Sequence, residues 1–278
     1  MARPRLIAVD LDGTLLDPLG IPHARDVSAL RRAREAGVFV TIVTGRLYSG
    51  TRSAAEAIGL VGPVGCVDGS QIVDASTHKT VHHHAFQAEA ATKLRDAVVP
   101  TGAALFVFAD DRVVHDDRGR PYLDYVSIWS LECEATSAID EHPSWSGGDG
   151  VTALVAVGNA GEIHDASLSI TAALGDTAQV VTFPTRRMEG RWGLVCRRSG
   201  GNKGSALRWI CEHHGVDVAD AVCVGDWMND LPMFEVAGRS FVMAQAPDAV
   251  KERATDRLDA DTSSGGGVAE AVAKAFGL

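Results

Sequence analysis

Two apolar patterns alternate along the first and last thirds of the chain. Unbroken apolar runs at Leu6–Val9, 38–43, 64–67 and Ala221–Gly225 show no polar alternation, so each reads as a strand buried on both faces. Segments 24–36, 47–58 and 205–213 instead carry apolar residues at helical spacing, and Gly37 stops the first of them. Strand and helix in succession predict an α/β fold built on a doubly wound parallel sheet. A further strand is expected at 241–244, and the Gly265-Gly266-Gly267 loop should lead to a closing helix over 268–276.

The middle of the chain has a different texture. Helices are expected at 87–98 and 162–174, and strands at 103–108, Arg112–His115, 152–157 and 178–183. Asp110-Asp111, Asp116-Asp117-Arg118-Gly119 and Ser146-Gly147-Gly148-Asp149-Gly150 supply turn and loop chemistry between them. This predicts an α+β unit over 84–187 inserted in a main domain formed by 1–83 and 188–278, which resumes with Trp192-Gly193-Leu194-Val195-Cys196. No internal repeat or low-complexity tract is seen.

Polar groups then arrive where the buried runs end. Asp10 and Asp12 close the first, Thr44 and Gly45 the second, and Asp226 and Asp230 the run 221–225. In open parallel sheets, ligands bind outside the carboxyl ends of the strands, so these residues stand where chemistry occurs. Two acids at i and i+2 are also common in solvated loops, and acids after a strand also cap helices. Lys203, between Gly201 and Gly204 at the start of a helix, combines a positive charge with an anion-attracting terminus.

Composition narrows the classes. The 278 residues are 46% hydrophobic, enough for a large domain or two modest ones. A net charge of −10 argues against a nucleic-acid surface, while leaving room for local basic groups on a phosphate. No run approaches the roughly 20 apolar residues of a membrane span, and the Met1-Ala2-Arg3-Pro4-Arg5 start does not resemble a signal peptide. Five widely spaced cysteines, mostly in apolar runs, read as buried reduced thiols, so a cytoplasmic location is expected.

The string Asp10-Leu11-Asp12-Gly13-Thr14-Leu15-Leu16-Asp17 after a hydrophobic strand resembles the first motif of the haloacid dehalogenase-like (HAD) hydrolases. Thr44-Gly45-Arg46, Lys203 and Gly225-Asp226-Trp227-Met228-Asn229-Asp230 resemble the other three motifs, in order. In detail the chain is similar to the Cof-type branch (subfamily IIB), whose α+β cap (C2B type) is inserted between the second and third motifs of a Rossmann-like core. The resemblance implies a Mg2+-dependent phosphatase acting on a small phosphorylated metabolite, with sugar phosphates the usual class. It implies Asp10 as nucleophile and Asp12 as general acid and base. Mg2+ would be held by Asp10, the Asp12 carbonyl and Asp226, with Asp230 beside them, and the phosphate by Thr44, Gly45, Lys203 and Asn229.

Two other readings stay open: a phosphosugar mutase or phosphotransferase using the same aspartyl-phosphate, and a non-catalytic phospho-metabolite binding protein. The family often has Asn-Gly-Ala where this chain has Asp68-Gly69-Ser70, which leaves open a changed substrate contact. His82-His83-His84 reads as a polar hinge rather than a metal site, because successive strand residues face opposite ways. Arg186 and Arg187 either clamp a second substrate anion or are solvated. The cap is expected to close over the site and select the alcohol, with loops 116–119 and 146–150 as candidate contacts. The sequence names neither the substrate nor the oligomeric state.

Overall fold

The computed structural model describes residues 4–185 and 188–278. Its contacts divide it into two compact units. One comprises the chain up to Gly45, Thr51–His82 and Asn202–Leu278; the other comprises Arg46–Gly50 and His83–Gly201. Arg186 and Arg187 lie outside the described residues.

The first unit is built on a five-stranded sheet in the order Asp256–Arg257, Arg239–Val242, Ala221–Gly225, Leu6–Val9, Phe39–Ile42, and every pairing is parallel. Leu6 pairs with Ala221 on one side and Phe39 on the other, which explains why the first run is apolar without alternation. Leu6 and Ala8 pack with Leu207 and Ile210 of the Lys203–His213 helix. Side chains alternate along a strand, so Ile7 and Val9 face the opposite side of the sheet, and all four are fully buried. Helices Ala24–Glu35 and Gly267–Phe276 pack on each other. The buried Asp26 side chain accepts the Gly266 and Ala269 amides at 2.8 and 2.7 Å and so caps the closing helix from 240 residues away.

Two expectations for this unit are corrected. Pro63–Cys66 does not extend the parallel ladder; it pairs antiparallel with Gln71–Asp74 in a separate three-stranded sheet with Lys79–His83, and one bridge, Val43 to Gly65, ties it to the main sheet. The cause is the turn after Cys66, where Val67, Asp68 and Gly69 all adopt positive φ (48°, 49° and 91°) and reverse the chain. The helix expected over 47–58 begins only at Arg52, because Arg46–Gly50 is held by the other unit.

The second unit carries a six-stranded sheet in the order Ala178–Pro184, Trp192–Arg198, Ala153–Gly158, Ala104–Ala109, Arg112–His115, Cys133–Ala135. Its pairings are antiparallel except the last. Helices Ala88–Val98 and Ala160–Leu174 complete a core around Phe86, Leu105, Val107 and Trp145. The Trp145 indole donates to Ile139 O at 2.6 Å, so this large buried ring leaves no orphaned N–H.

Trp192–Arg198 therefore belongs to the inserted unit and not to the main domain. Leu194 and Cys196 point into this core, and neighbouring strands pair with both of its edges. The return falls between Gly201 and Asn202, later than residue 188. The three histidines go different ways: His82 tilts against Trp209, His83 Nε2 lies 2.8 Å from Thr152 Oγ1, and His84 Nε2 lies 2.7 Å from Ser199 O. Four of the five free cysteines are buried, and Cys133, which stands between Glu132 and Glu134, is exposed. No helix among the described residues is long and apolar enough to cross a membrane.

Candidate active site

The carboxyl ends of the central strands bring most of the expected residues together within the first unit. Asp10 follows Leu6–Val9 and is buried, its amide held by Val224 O at 3.0 Å. Gly13, at φ 82°, turns the chain directly against Asp226; a Cβ at that position would overlap the Asp226 carboxylate. Asp12 between them is exposed, yet its charge is near enough to be felt by both Asp10 and Asp226.

Lys203 is the hub. It is the first residue of the Lys203–His213 helix, whose start is fixed by Asn202 and Ser205 capping each other (Ser205 N to Asn202 Oδ1 2.9 Å, Asn202 N to Ser205 Oγ 3.0 Å). From there its fully buried ammonium donates to Asp10 Oδ1 and to Asp230 Oδ1, both at 2.6 Å. Asp230 Oδ2 accepts the amides of Asp226 and Trp227 at 2.8 and 2.9 Å. Asp230 is thus occupied in holding the lysine and shaping the 226–230 loop, which leaves Asp10 and Asp226 as the acids turned to other work.

Thr44 is buried at the end of Phe39–Ile42, where its amide donates to Gly65 O at 2.9 Å and its carbonyl accepts the Asp68 amide at 2.8 Å. That arrangement brings Asp68 into the site. Its Oδ1 accepts Asn229 Nδ2 at 2.8 Å, and a Cβ on Gly45 would stand 3.4 Å from the same oxygen. Asp68 was legible only as a departure from a motif, and its αL backbone is one that Asp and Asn tolerate best among residues with a side chain. Gln245 and Thr262 were missed. Gln245 Nε2 donates to Gly13 O at 2.5 Å and reaches Asp226 Oδ2 at 3.4 Å, and Thr262 Oγ1 donates to Gly13 O at 2.6 Å. A signal existed for Gln245, since it too follows the carboxyl end of a buried strand.

Charge is unbalanced here. Lys203 is the ammonium among the carboxylates of Asp10, Asp226, Asp230 and Asp68. Burial, then the neighbouring acids, pushes Asp10 well above the usual carboxylate range, with Lys203 opposing it, and pushes Asp226 up to about 7. Burial works against charge on Lys203, but Asp10, Asp230 and Asp68 together outweigh it and hold the amine protonated.

The residues fit a hard divalent cation. One ligating oxygen from each of Asp10, Asp226 and Asp230 lies within 4.8 Å of the others, and among the described residues this is the group that could hold a metal. Asp226 Oδ1 is buried without a hydrogen-bond partner, which is costly unless something positive meets it. An all-oxygen donor set of this kind suits Mg2+.

The same imbalance makes a stability prediction. The folded-state pKa of Asp226 is raised, so this acid disfavours folding once pH exceeds its unfolded value near 4, and the penalty is complete above about 7. At pH 8 in chelator, Asp226→Asn should therefore melt several degrees above the parent protein. Added Mg2+ should raise the Tm of the parent and leave the variant's almost unchanged. Thermal melts in both conditions check this; a variant that melts lower in chelator would contradict the charge argument.

The family profile described as haloacid dehalogenase-like hydrolase matches residues 7–272. The chain is 28% identical over 261 residues to the pyridoxal phosphate phosphatase of Escherichia coli (strain K12), covering 90% of this chain and 91% of that one. It is 25% identical over 268 residues to the 5-amino-6-(5-phospho-D-ribitylamino)uracil phosphatase of Bacillus subtilis (strain 168), again covering 90% and 91%. A haloacid dehalogenase-like hydrolase from Bacteroides thetaiotaomicron shares the fold, with a TM-score of 0.84 over 99% of this chain and 100% of that one at 21% identity.

Proposed function

The chain belongs to the haloacid dehalogenase-like hydrolases, and from that premise we propose that it is a phosphatase that hydrolyses a small phosphorylated metabolite through an aspartyl-phosphate on Asp10. The observation that carries this reading is the buried Lys203 ammonium shared at 2.6 Å by Asp10 and Asp230, beside an Asp226 oxygen with no partner. A carboxylate cannot approach a phosphate dianion unless positive charge offsets the repulsion.

Lys203 supplies one such charge and orients Asp10. Mg2+, held by Asp10, Asp226 and the Asp12 carbonyl, would supply the rest by neutralising phosphoryl oxygens. The Thr44 hydroxyl, the Gly45 amide and Asn229 bind the remaining oxygens, with Asn229 steadied by Asp68. Asp10 Oδ then bonds to phosphorus as the bond to the alcohol oxygen breaks, and Asp12 gives that oxygen its proton. Asp12, now a carboxylate, takes a proton from the water that attacks the aspartyl-phosphate, releasing phosphate and restoring Asp10. Exposure suits Asp12 to this exchange, while burial and the lysine suit Asp10 to a fixed line of attack.

The substrate class is a small phosphate monoester, a sugar phosphate first among them. Two similar proteins are named for pyridoxal phosphate and for a phosphoribitylamino-uracil, so both esters belong in the trial. Phosphate release from a panel of these and of hexose and pentose phosphates, with Mg2+ and with chelator, tests the reading. Release that needs Mg2+ is expected for at least one ester. No release from any, or phosphate recovered on a second sugar, would replace hydrolysis with binding or transfer.

A further inference from the structure

Strand Arg239–Val242 runs beside Ala221–Gly225, and Val242 pairs with Gly225, so the chain leaves both strands at the same place. Asp226 is the first residue beyond one strand, and Gln245 is the third beyond the other. Met243 N donates to Gly225 O and Ala244 N to Ala260 O, each at 3.1 Å, which ties the backbone before Gln245 to the Asp226 strand and to the 259–266 loop. That loop is itself pinned. Asp261 Oδ1 accepts Ser264 N at 2.7 Å, Glu270 Oε2 accepts Asp259 N at 3.0 Å, and Asp26 Oδ2 accepts Gly266 N at 2.8 Å. Thr262 is therefore presented from a fixed backbone, and all of these residues belong to the first unit.

The two side chains close on the Gly13 turn. Gln245 Nε2 and Thr262 Oγ1 both donate to Gly13 O, at 2.5 and 2.6 Å. A hydroxyl has one hydrogen, so toward Gln245 Nε2, 2.7 Å away, Thr262 Oγ1 is the acceptor. Gln245 Oε1 accepts Thr262 N at 3.2 Å, which fixes the end of the amide that faces the site. Nε2 then also reaches Asp226 Oδ2 at 3.4 Å. The two Asp226 oxygens are thus treated unequally. Oδ2 faces an amide donor and fills the space that a Cβ on Gly13 would need, while Oδ1 is buried without a hydrogen-bond partner.

We infer that Gln245 and Thr262 are positioning residues for the divalent cation: they hold the Gly13 turn against Asp226 and engage Asp226 Oδ2, which leaves Oδ1 for the metal. The inference rests on the reading of Asp10 and Asp226 as cation ligands. A carboxylate already oriented by an outer hydrogen bond has less freedom to lose when a cation fixes it. Gly13 directly follows Asp12, so the bonds to Gly13 O also restrain the segment whose preceding carbonyl is assigned to the cation. The clamp sets the affinity for the cation, and acts on turnover only through it.

The test is the Mg2+ affinity of the substrate-free protein, measured by calorimetry and by the rise of Tm with Mg2+, together with the Mg2+ concentration that half-activates phosphate release. Gln245→Met keeps the length of the side chain and removes its donors. Gln245 is exposed, so this variant should fold and melt close to the parent protein in chelator. It is expected to bind Mg2+ about tenfold more weakly, the low end of what the outer partners of metal ligands contribute, with kcat at saturating Mg2+ changed less than about threefold. Thr262→Val, similar in shape but without the hydroxyl, should weaken Mg2+ about threefold, the size of one ordinary hydrogen bond. Thr262→Ser keeps the hydroxyl and should bind Mg2+ as the parent does. Parent-like Mg2+ affinity in folded Gln245→Met overturns the inference alone, and so does a Thr262→Ser variant that loses as much as Thr262→Val. Should Gln245→Met fail to fold, parent-like affinity in Thr262→Val overturns it. Absence of Mg2+ binding by the parent protein overturns it together with the reading of Asp10 and Asp226.

Discussion

Asp10→Asn is expected to turn over less than a hundredth as fast as the parent protein, a loss of about 3 kcal/mol in the barrier or more, because no other group is placed to take the phosphoryl group. The fold should survive. Asn has almost the volume of Asp, and Lys203 keeps its 2.6 Å bond to Asp230. With four carboxylates around one ammonium, the loss of one negative charge removes repulsion as well as a bond, so the variant should melt close to the parent protein. Steady-state phosphate release with parallel thermal melts decides it. A folded variant that keeps more than a hundredth of the turnover would end the covalent mechanism.

Asp12→Asn separates the two roles proposed for Asp12 by the choice of leaving group. Asp12 is exposed, so the change costs little stability, and the backbone carbonyl proposed to face the cation is untouched. A sugar phosphate leaves poorly without a proton, and its first step should slow by a typical general-acid factor of about 10²–10⁴. Nitrophenol needs no such help. With nitrophenyl phosphate, Asp10 should still be phosphorylated, while hydrolysis of the aspartyl-phosphate, now without its base, becomes slow. Stopped-flow absorbance should show a burst of about one nitrophenol per enzyme followed by slow turnover. Equal losses for both esters with no burst would show that Asp12 is structural or a metal ligand only, and the division of labour between the two carboxylates would be withdrawn.

The strands of the main sheet were legible because burial on both faces leaves an unmistakable trace, an unbroken apolar run that a surface element cannot tolerate. Polar residues at the ends of those runs located Asp10, Asp12, Thr44, Asp226 and Asp230 for the same reason. The run from Trp192 to Cys196 shows the limit of that logic: it is as apolar as a core strand, and nothing local says which sheet will pair with it. Leu47–Gly50 shows another. Its spacing is helical, but bonds to Trp129, Asp111 and Ser130, about 60 to 80 residues away, hold it in a different form.

The sequence by itself determined the strand cores, the order of polar groups at their ends, and the presence of an inserted α+β region, since these follow from patterns no longer than one element. Tertiary structure alone decided where the inserted unit ends, that Asp26 caps a helix 240 residues downstream, and that Gln245, Thr262 and Asp68 join the site. It also decided the work of Asp230, whose two oxygens are taken by Lys203 and by its own loop. The physical reason is common to all of them: a hydrogen bond or an ion pair between distant residues depends on where folding brings two backbones, and no pattern within either segment records its partner.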